Sequence, residues 1–184
     1  MLIEHSNEKL VNSIIYFVKN TKYCGKTKLF KLLYFLDFEH FSVTGRSVTG
    51  LDYFAWPKGH VTAKIFDEFE SPQKVLKDYV QVTKKSTFNG KVINNIVPLK
   101  GFSAQHFSKR ELRILEALSK EYRDSFADDM VEATHLENHT WHQVSEVQGL
   151  KQQIIPYELA LRKSEYEQVI KNVRENEEFV ENYK

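Results

Sequence analysis

The segment over residues 28–42 constrains the fold of this chain most, because a helix formed by it has no polar face. It contains eight large apolar side chains: Leu29, Phe30, Leu32, Leu33, Phe35, Leu36, Phe38 and Phe41. At 3.6 residues per turn these side chains cover nearly the whole circumference, and such a helix has to be enclosed by other parts of its domain. We therefore expect a buried central helix, with Thr27 as its N-cap, and a domain built around it.

The flanking segments predict further helices. Residues 8–20, 61–70 and 109–122 each place apolar side chains at helical spacing. Ser108 and Glu111 form a capping-box pair at the start of the last of them. Shorter helices are expected to begin near residues 128, 140, 156 and 164.

Three short segments predict strands, at 52–56, 79–83 and 91–97. Asn89-Gly90, between the last two, is a turn dipeptide that favours an antiparallel hairpin. No Gly/Ser-rich linker or internal repeat divides the chain. The sequence therefore predicts a mostly α (α+β) fold: a single globular helical domain over 1–184 around a buried central helix, with a small antiparallel β-sheet and a polar tail at 174–184.

Composition limits the class of protein. The 184 residues are enough for one domain with a real core. The single cysteine, Cys24, cannot form an internal disulfide, which favours a reducing cytoplasm over secretion. No apolar run reaches the roughly 18 residues of a membrane span, and the first five residues lack the basic region of a signal peptide. We expect a cytoplasmic protein without membrane contact.

Charge is distributed unevenly along the chain. Residues 1–113 carry 18 basic and 10 acidic side chains, a net of +8, whereas 114–184 carry 8 and 15, a net of −7. A basic stretch over 74–113 supports an alternative function, that of a nucleic-acid-binding regulator. The other explanation is that the acidic part packs beside the basic part and cancels its charge. The pI near 7.8 lies below the value above ~9 that is usual for nucleic-acid domains, so nucleic acid is the less favoured partner.

A second basic feature is a run of five lysines without an intervening acid before the central helix and in its first turns. They are Lys19, Lys22, Lys26, Lys28 and Lys31. Exposed together, they would form a positive surface for an acidic protein or a nucleic acid.

The motifs that would indicate catalysis are incomplete. Gly25-Lys26-Thr27 resembles the end of a phosphate-binding loop, but position 20 is Asn where that loop needs Gly. Cys24 has lysines nearby that could lower its pKa, but no base accompanies it. Asp37 and His40 could form a buried catalytic pair, or, more commonly, a hydrogen-bonded core pair.

A metal site is also incomplete. His135, His139 and His142 have the spacing i, i+4, i+7, which one helix face could use to bind zinc. Asn138 and Thr140 favour a break that would separate them. The incomplete sets together favour a binding protein over an enzyme, with no metal and no cofactor.

The most specific pattern runs from the central helix into the segment after it. It reads Lys28-Leu29-Phe30-Lys31-Leu32-Leu33-Tyr34-Phe35-Leu36-Asp37, then Gly45-Arg46-Ser47-Val48-Thr49-Gly50, then Tyr53-Phe54-Ala55-Trp56 and Gly59. This series resembles the Panacea domain of the SocA-like antitoxin family, a phage-associated protein family. Later segments, including His135 and Trp141, extend the resemblance over about 9–162.

The resemblance implies an antitoxin of a bacterial or prophage toxin–antitoxin system. Such an antitoxin neutralises a small protein toxin by direct protein–protein interaction. The family's namesake is a proteolytic adaptor that delivers its toxin to the ClpXP protease, so this role is a further expectation. The family fold is helical with a small antiparallel sheet, and the resemblance carries over no catalytic residues.

Fourteen motif residues are candidates for a structural or a partner-binding role. They are Lys31, Tyr34, Asp37, His40, Gly45, Arg46, Ser47, Thr49, Gly50, Tyr53, Trp56, Gly59, His135 and Trp141. Gly45 and Gly50 suit positive φ, Arg46 could hold Asp37 or a helix C-terminus, and the hydroxyls can satisfy loop backbone groups. Tyr53, Phe54 and Trp56 would be interface anchors if exposed and core residues if buried. The sequence leaves this choice open.

Overall fold

The computed structural model describes residues 5–56, 59–69, 75–86, 92–130, 154–160 and 171, and the structural statements below concern these residues. In chain order they form α1 Ser6–Asn20, α2 Lys26–Thr44, β1 Phe54–Trp56, β2 Gly59–Val61, α3 Ala63–Phe66, β3 Val80–Ser86, β4 Val92–Pro98 and α4 Lys109–Glu121. Two 3₁₀ turns, Asp67–Phe69 and Tyr157–Ala160, complete the described elements. The predicted class, a mostly helical α+β fold, is confirmed.

α2 is the buried central helix that the sequence predicts. Thirteen of its nineteen residues are buried, including every one from Lys28 to Phe38. α1, α4, β2 and the second 3₁₀ turn all pack against it. Aromatic contacts bind it on two sides, since Phe35 stacks on Tyr122 at 5.2 Å between ring centroids and Phe30 meets Phe69 edge-on at 5.4 Å.

α2 begins earlier than predicted, at Lys26, and the N-cap is Gly25 rather than Thr27. Gly25 has extended backbone with ψ 179°, and its carbonyl accepts a hydrogen bond from the Leu29 N–H at 3.0 Å. The first turn therefore forms without a side-chain cap. Thr27 lies inside this turn, where its side chain is exposed.

α1 and α4 pack against α2 and against each other. The capping box predicted for α4 is confirmed: Ser108 Oγ accepts from the Glu111 N–H at 3.2 Å, and Glu111 Oε2 accepts from the Ser108 N–H at 2.6 Å. The other oxygen of Glu111 accepts from Lys9 Nζ at 2.7 Å. This part-buried ion pair fixes the start of α4 against α1.

β1 and β2 form an antiparallel pair that the sequence predicts only in part. The strand expected over 52–56 is confined to Phe54–Trp56, and the helix expected over 61–70 is replaced by β2, the four-residue α3 and a 3₁₀ turn. Gly59–Val61 pairs with β1 instead of entering a helix, because the ladder from Phe54↔Val61 to Trp56↔Gly59 holds it extended. Phe54 also forms an antiparallel bridge with Ile154.

β3 and β4 form the predicted antiparallel hairpin, with register from Val80↔Pro98 to Ser86↔Val92. It is separate from the β1–β2 sheet. The turn dipeptide Asn89-Gly90 lies outside the described residues, as do most of the helices expected from 128, 140 and 164 and the tail at 174–184. Near 156 the chain forms the 3₁₀ turn Tyr157–Ala160. In the described ranges no helix is long and apolar enough to cross a membrane.

Candidate functional site

The segment after α2 folds back over the end of that helix. Its two glycines, Gly45 and Gly50, have φ values of 69° and 65°, the left-handed region that glycine enters without strain. The Gly45 N–H donates to the carbonyl of Phe41 at 2.8 Å, which ends α2. The positive φ expected from the sequence at both glycines is present, and it allows the chain to turn back tightly after α2.

Asp37 lies at the centre of this return. Its side chain is fully buried. Oδ1 accepts from the backbone N–H groups of Val48 and Thr49, each at 2.8 Å, and Oδ2 accepts from the hydroxyls of Thr49 and Tyr53, the latter at 2.7 Å. We call these groups the Asp37 cradle. It anchors the segment 48–53 to the middle of α2.

All the partners in the Asp37 cradle are neutral. Burial raises the pKa of Asp37, against the opposing effect of the hydrogen bonds from the cradle. Burial and the nearby carboxyl also raise the pKa of Tyr53 and of Tyr157, whose hydroxyl lies 3.5 Å from Oδ2. Among the described residues no cation contacts this carboxyl, so Arg46 does not hold it as the sequence had suggested.

His40 has different partners at the end of α2. Its Nδ1 lies 2.7 Å from the backbone carbonyl of Arg46, and because that carbonyl can only accept, Nδ1 is the donor. The Thr44 hydroxyl donates to the carbonyl of His40 at 2.8 Å. Asp37 and His40 therefore belong to two separate hydrogen-bonded sets, and the hypothesised catalytic pair does not form.

Lys31 and Tyr34 also face the interior. Lys31 is 1% exposed, its Nζ has no hydrogen-bond acceptor among the described residues, and burial lowers its pKa to about 8, opposed by the attraction of Asp128. Tyr34 stacks on Phe38 at 4.0 Å and meets Tyr53 edge-on at 5.4 Å. The buried ammonium of Lys31 destabilises the fold unless it loses its proton.

The remaining motif residues are placed as follows. Tyr53 is fully buried and is a core residue, while Phe54 is half-buried. Ser47 is half-buried, and only Arg46 and Gly50 are exposed among the motif residues whose burial is described. The backbones of Trp56 and Gly59 belong to β1 and β2. His135 and Trp141 lie outside the described residues.

A second buried lysine, Lys28, is fully satisfied. Its Nζ donates to the carbonyls of Lys22 at 2.8 Å, Tyr122 at 2.6 Å and Ser125 at 2.7 Å. Tyr122 is the C-cap of α4, so the ammonium lies where the helix dipole and unpaired carbonyls attract a cation. Lys28 thereby joins the α1–α2 connection, α2 and the end of α4.

Two exposed aromatic rings lie on the loops that Lys28 joins. Tyr23 is 60% exposed, Phe126 is 56% exposed, and they stack with centroids 4.6 Å apart. Tyr23 has φ 55°, an unusual conformation for a residue other than glycine. The loops are bound together by the Lys22 N–H donating to the Arg123 carbonyl at 2.7 Å. We call the stacked pair of Tyr23 and Phe126 the aromatic platform.

Sequence reasoning missed both Lys28 as an anchor and the aromatic platform. Lys28 carried no local signal, because two of its three acceptors, the carbonyls of Tyr122 and Ser125, lie 94 and 97 residues away in the sequence. Phe126 is a lone aromatic in the polar segment 123–129, and that isolation is the one sequence feature that could have indicated an exposed role.

The lysine run does not form one positive surface. Lys28 and Lys31 are buried, and Lys26 Nζ lies 3.4 Å from the centroid of the Phe66 ring. Within 74–113 the exposed basic residues among those described are Lys77, Lys84, Lys85, Lys100, Lys109, Arg110 and Arg113.

The partial phosphate-binding loop, the Cys24 thiol and the histidine cluster were the other candidates for chemistry in the sequence. Gly25 and Lys26 form the start of α2, and no strand precedes them as in a phosphate-binding loop. Burial raises the pKa of Cys24 to about 11, which leaves almost no thiolate at neutral pH. His135, His139 and His142 lie outside the described residues, and no group of three possible ligands for a metal occurs within them.

Comparison with known proteins gives one positive result. A family model described as antitoxin SocA-like, Panacea domain, matches residues 29–142. The match contains most of α2, both hairpins, α4 and all but one residue of the motif series, and it is narrower than the range of about 9–162 expected from the sequence. No curated protein and no solved structure gives a significant match.

Proposed function

This chain belongs to the SocA-like antitoxin family that carries the Panacea domain, and from that premise we propose that it neutralises a small protein toxin by binding it directly. The observation that carries the proposal is the family match over 29–142. The toxin would be encoded beside this protein in a bacterial or prophage genome, and both would act in the cytoplasm. The activity needs no metal and no cofactor.

We assign the buried motif residues, Asp37, Thr49 and Tyr53 among them, to the interior of the domain rather than to the toxin interface. The support is that Asp37, Thr49 and Tyr53 are buried and are hydrogen-bonded to one another. A partner would have to unfold the segment 48–53 to contact them. Their role in this proposal is to hold the return after α2 in one conformation.

We assign toxin contact to the aromatic platform of Tyr23 and Phe126. Large aromatic side chains contribute most to binding where they are held in place before the partner arrives. Here the rings stack on each other, and the Lys28 ammonium binds the carbonyl of the residue directly before each ring, Lys22 and Ser125. A toxin that covers the platform would bury two large apolar surfaces that water now contacts.

Co-expression tests the proposal. The chain is produced with the product of the adjacent gene, and growth and co-purification are measured. Neutralisation predicts that growth is rescued and that a stoichiometric complex is recovered. If the adjacent product is toxic and the chain gives neither rescue nor a complex, the proposal is wrong.

The platform is tested by the double variant Tyr23→Ala with Phe126→Ala. Loss of two hot-spot aromatics is expected to weaken the complex by about 2–4 kcal/mol, or roughly 30- to 1,000-fold in Kd. The matched control is Val43→Ala with Ile154→Ala, which removes two other exposed apolar side chains, each 52% exposed, away from the platform. Equal binding by both double variants would show that the toxin binds elsewhere.

Delivery to a protease is the alternative route within the same function. We propose occlusion, because direct binding alone accounts for neutralisation. The two routes differ in the fate of the toxin, whose half-life is measured in cells with and without ClpX. Occlusion predicts a stable toxin in both, whereas an adaptor predicts toxin loss that depends on ClpX.

A further inference from the structure

The outer edge of β3 has backbone groups that can accept another strand. The Leu99 N–H donates to the Tyr79 carbonyl at 2.8 Å, so this opposed pair is a hydrogen-bonded pair of the antiparallel ladder. Such pairs alternate along the ladder. The N–H and C=O groups of Val82, Lys84 and Ser86 therefore point away from β4.

The corresponding edge of β4 faces the body of the protein. The carbonyl of Asn94 lies 3.6 Å from the position that a Cβ on Gly25 would occupy, and Asn94 Nδ2 donates to the carbonyl of Phe69 at 3.2 Å. Pro98, at an outward position of β4, has no N–H to offer. β4 packs against α1 and α2, so a new strand can reach the hairpin only beside β3.

The edge of β3 is open in the described part of the chain. Lys84, Lys85 and Ser86 are exposed, and no described strand other than β4 pairs with β3. An unpaired edge of this length is the element that proteins use to bind an extended segment of a partner.

The charge on this hairpin restricts the partner. Lys77, Lys84, Lys85 and Lys100 are exposed on the hairpin and its base, whereas Asp78 is the one exposed acid among the described residues 75–86 and 92–100. Lysines on an edge strand oppose pairing with a second copy of the same edge, because like charges would face each other. The same lysines would attract an acidic strand, because opposite charges would then face each other.

We propose that the outer edge of β3 binds an extended acidic segment of the toxin as a third antiparallel or parallel strand. Backbone hydrogen bonds from Val82, Lys84 and Ser86 would hold the segment, and Lys84 and Lys85 would select for its acidic side chains. The inference rests on the proposed function and adds a second contact to the aromatic platform.

Hydrogen exchange tests strand addition directly. Backbone amide exchange is followed by NMR in the free chain and in its complex with the toxin encoded by the adjacent gene. Strand addition predicts that the amides of Val82, Lys84 and Ser86 exchange at least about tenfold more slowly in the complex. The amides of Gln81 and Thr83, already bonded to β4, provide the internal control.

Charge reversal tests the selection for an acidic segment. Lys84→Glu with Lys85→Glu is expected to weaken toxin binding by about tenfold or more, and to flatten its dependence on salt. The control is Lys109→Glu with Arg110→Glu, at exposed positions in the first turn of α4, with melting temperatures measured for all variants. A third variant, Lys84→Pro, removes an outward N–H while leaving the ladder to β4 intact.

The outcomes separate the inference from the proposed function. If the toxin binds and is neutralised while the three amides and the Lys84 variants are unaffected, the inference is overturned and the function stands. If the toxin does not bind the wild-type chain, both are overturned. If the charge reversal abolishes binding to a DNA or RNA duplex but leaves toxin binding unchanged, the edge serves nucleic acid and the inference is overturned.

Discussion

At the scale of single residues, the carboxyl of Asp37 is both buried and surrounded by donors, so the fold depends on its acceptor atoms more than on its charge. Asp37→Asn keeps Oδ1 for the two backbone N–H groups, and its NH₂ can donate to the Thr49 and Tyr53 hydroxyls. Asp37→Ala leaves two buried backbone N–H groups and two hydroxyls without that acceptor. In urea denaturation we expect the free energy of unfolding of the Asn variant to lie within about 1 kcal/mol of the wild-type value. That of the Ala variant should be about 3–5 kcal/mol lower.

The raised pKa of Asp37 predicts a pH dependence in the same experiment. The native chain binds the proton more tightly than the unfolded chain, so the wild type is most stable where this group is protonated. Its contribution decreases as pH rises from the ordinary value of 3.8 through the raised pKa. Because the Asn side chain of Asp37→Asn does not titrate, the stability of this variant relative to the wild type should increase over that interval. A constant difference between the two from pH 4 to 7 would contradict burial as the dominant influence.

Lys31 predicts the reverse behaviour of a buried base. Its pKa is lowered to about 8 from 10.5, so the unfolded chain binds more protons between those values and stability increases as pH rises from about 8 to 10.5. Lys31→Met removes the buried ammonium and is expected to stabilise the chain by roughly 1–3 kcal/mol at pH 7. The gain should shrink above pH 8. Lys19→Met, at an exposed position, is the control, and an equal effect of both would refute the interpretation.

At the scale of elements, Lys28 shows how one side chain on α2 ends another helix. Its ammonium satisfies carbonyls at the end of α4 and in the α1–α2 connection. Lys28→Met fills similar space but takes the ammonium away from one buried and two part-buried carbonyls, so we expect a loss of about 2–4 kcal/mol in chemical denaturation. Lys120→Met, on the exposed side of α4, should change stability by less than about 0.5 kcal/mol. A Lys28 variant as stable as the control would remove the anchoring role.

Elements whose cause is local were predictable from the sequence, and those with distant causes were not. The capping box at Ser108 lies within four residues, and the hairpin of β3 and β4 follows from two strand-like segments joined by a turn dipeptide. β2 was missed because Gly59–Val61 is extended only by pairing with β1. The start of α2 was misplaced because Gly25 supplies the extended N-cap without any side-chain signal.

At the scale of the whole molecule, the same distinction applies to the site. The family and the buried helix could be read from motifs that lie close together in the sequence, between residues 28 and 59. The Asp37 cradle, the Lys28 anchor and the aromatic platform each join segments that are separated in the sequence: Val48 is 11 residues from Asp37, and Ser125 is 97 residues from Lys28. The lysine run is an example: the sequence suggested that its five charges could form one positive surface, but two of the five lysines are buried.

Cys24 provides a test of the whole junction at which α1, α2 and the end of α4 meet. Its thiol packs against the hydrophobic core, and burial raises its pKa to about 11 from 9.0. Only the thiolate reacts with a disulfide reagent such as DTNB, and the raised pKa leaves about 100-fold less thiolate at pH 8. Because a more basic thiolate is also a better nucleophile, by roughly tenfold here, the native chain should react about tenfold more slowly than the chain unfolded in guanidinium.

Loss of the Lys28 ammonium would by itself slow the reaction, because that charge lowers the pKa of Cys24. A faster Cys24 rate with Lys28→Met, and an unchanged rate with Lys120→Met, is therefore expected only if the first variant loosens the junction. Cys24→Ser gives the background of the reagent. A native rate equal to the unfolded rate would mean that the junction opens freely. The aromatic platform would then not be held in place for a partner, and its proposed contribution to toxin binding would fail with it.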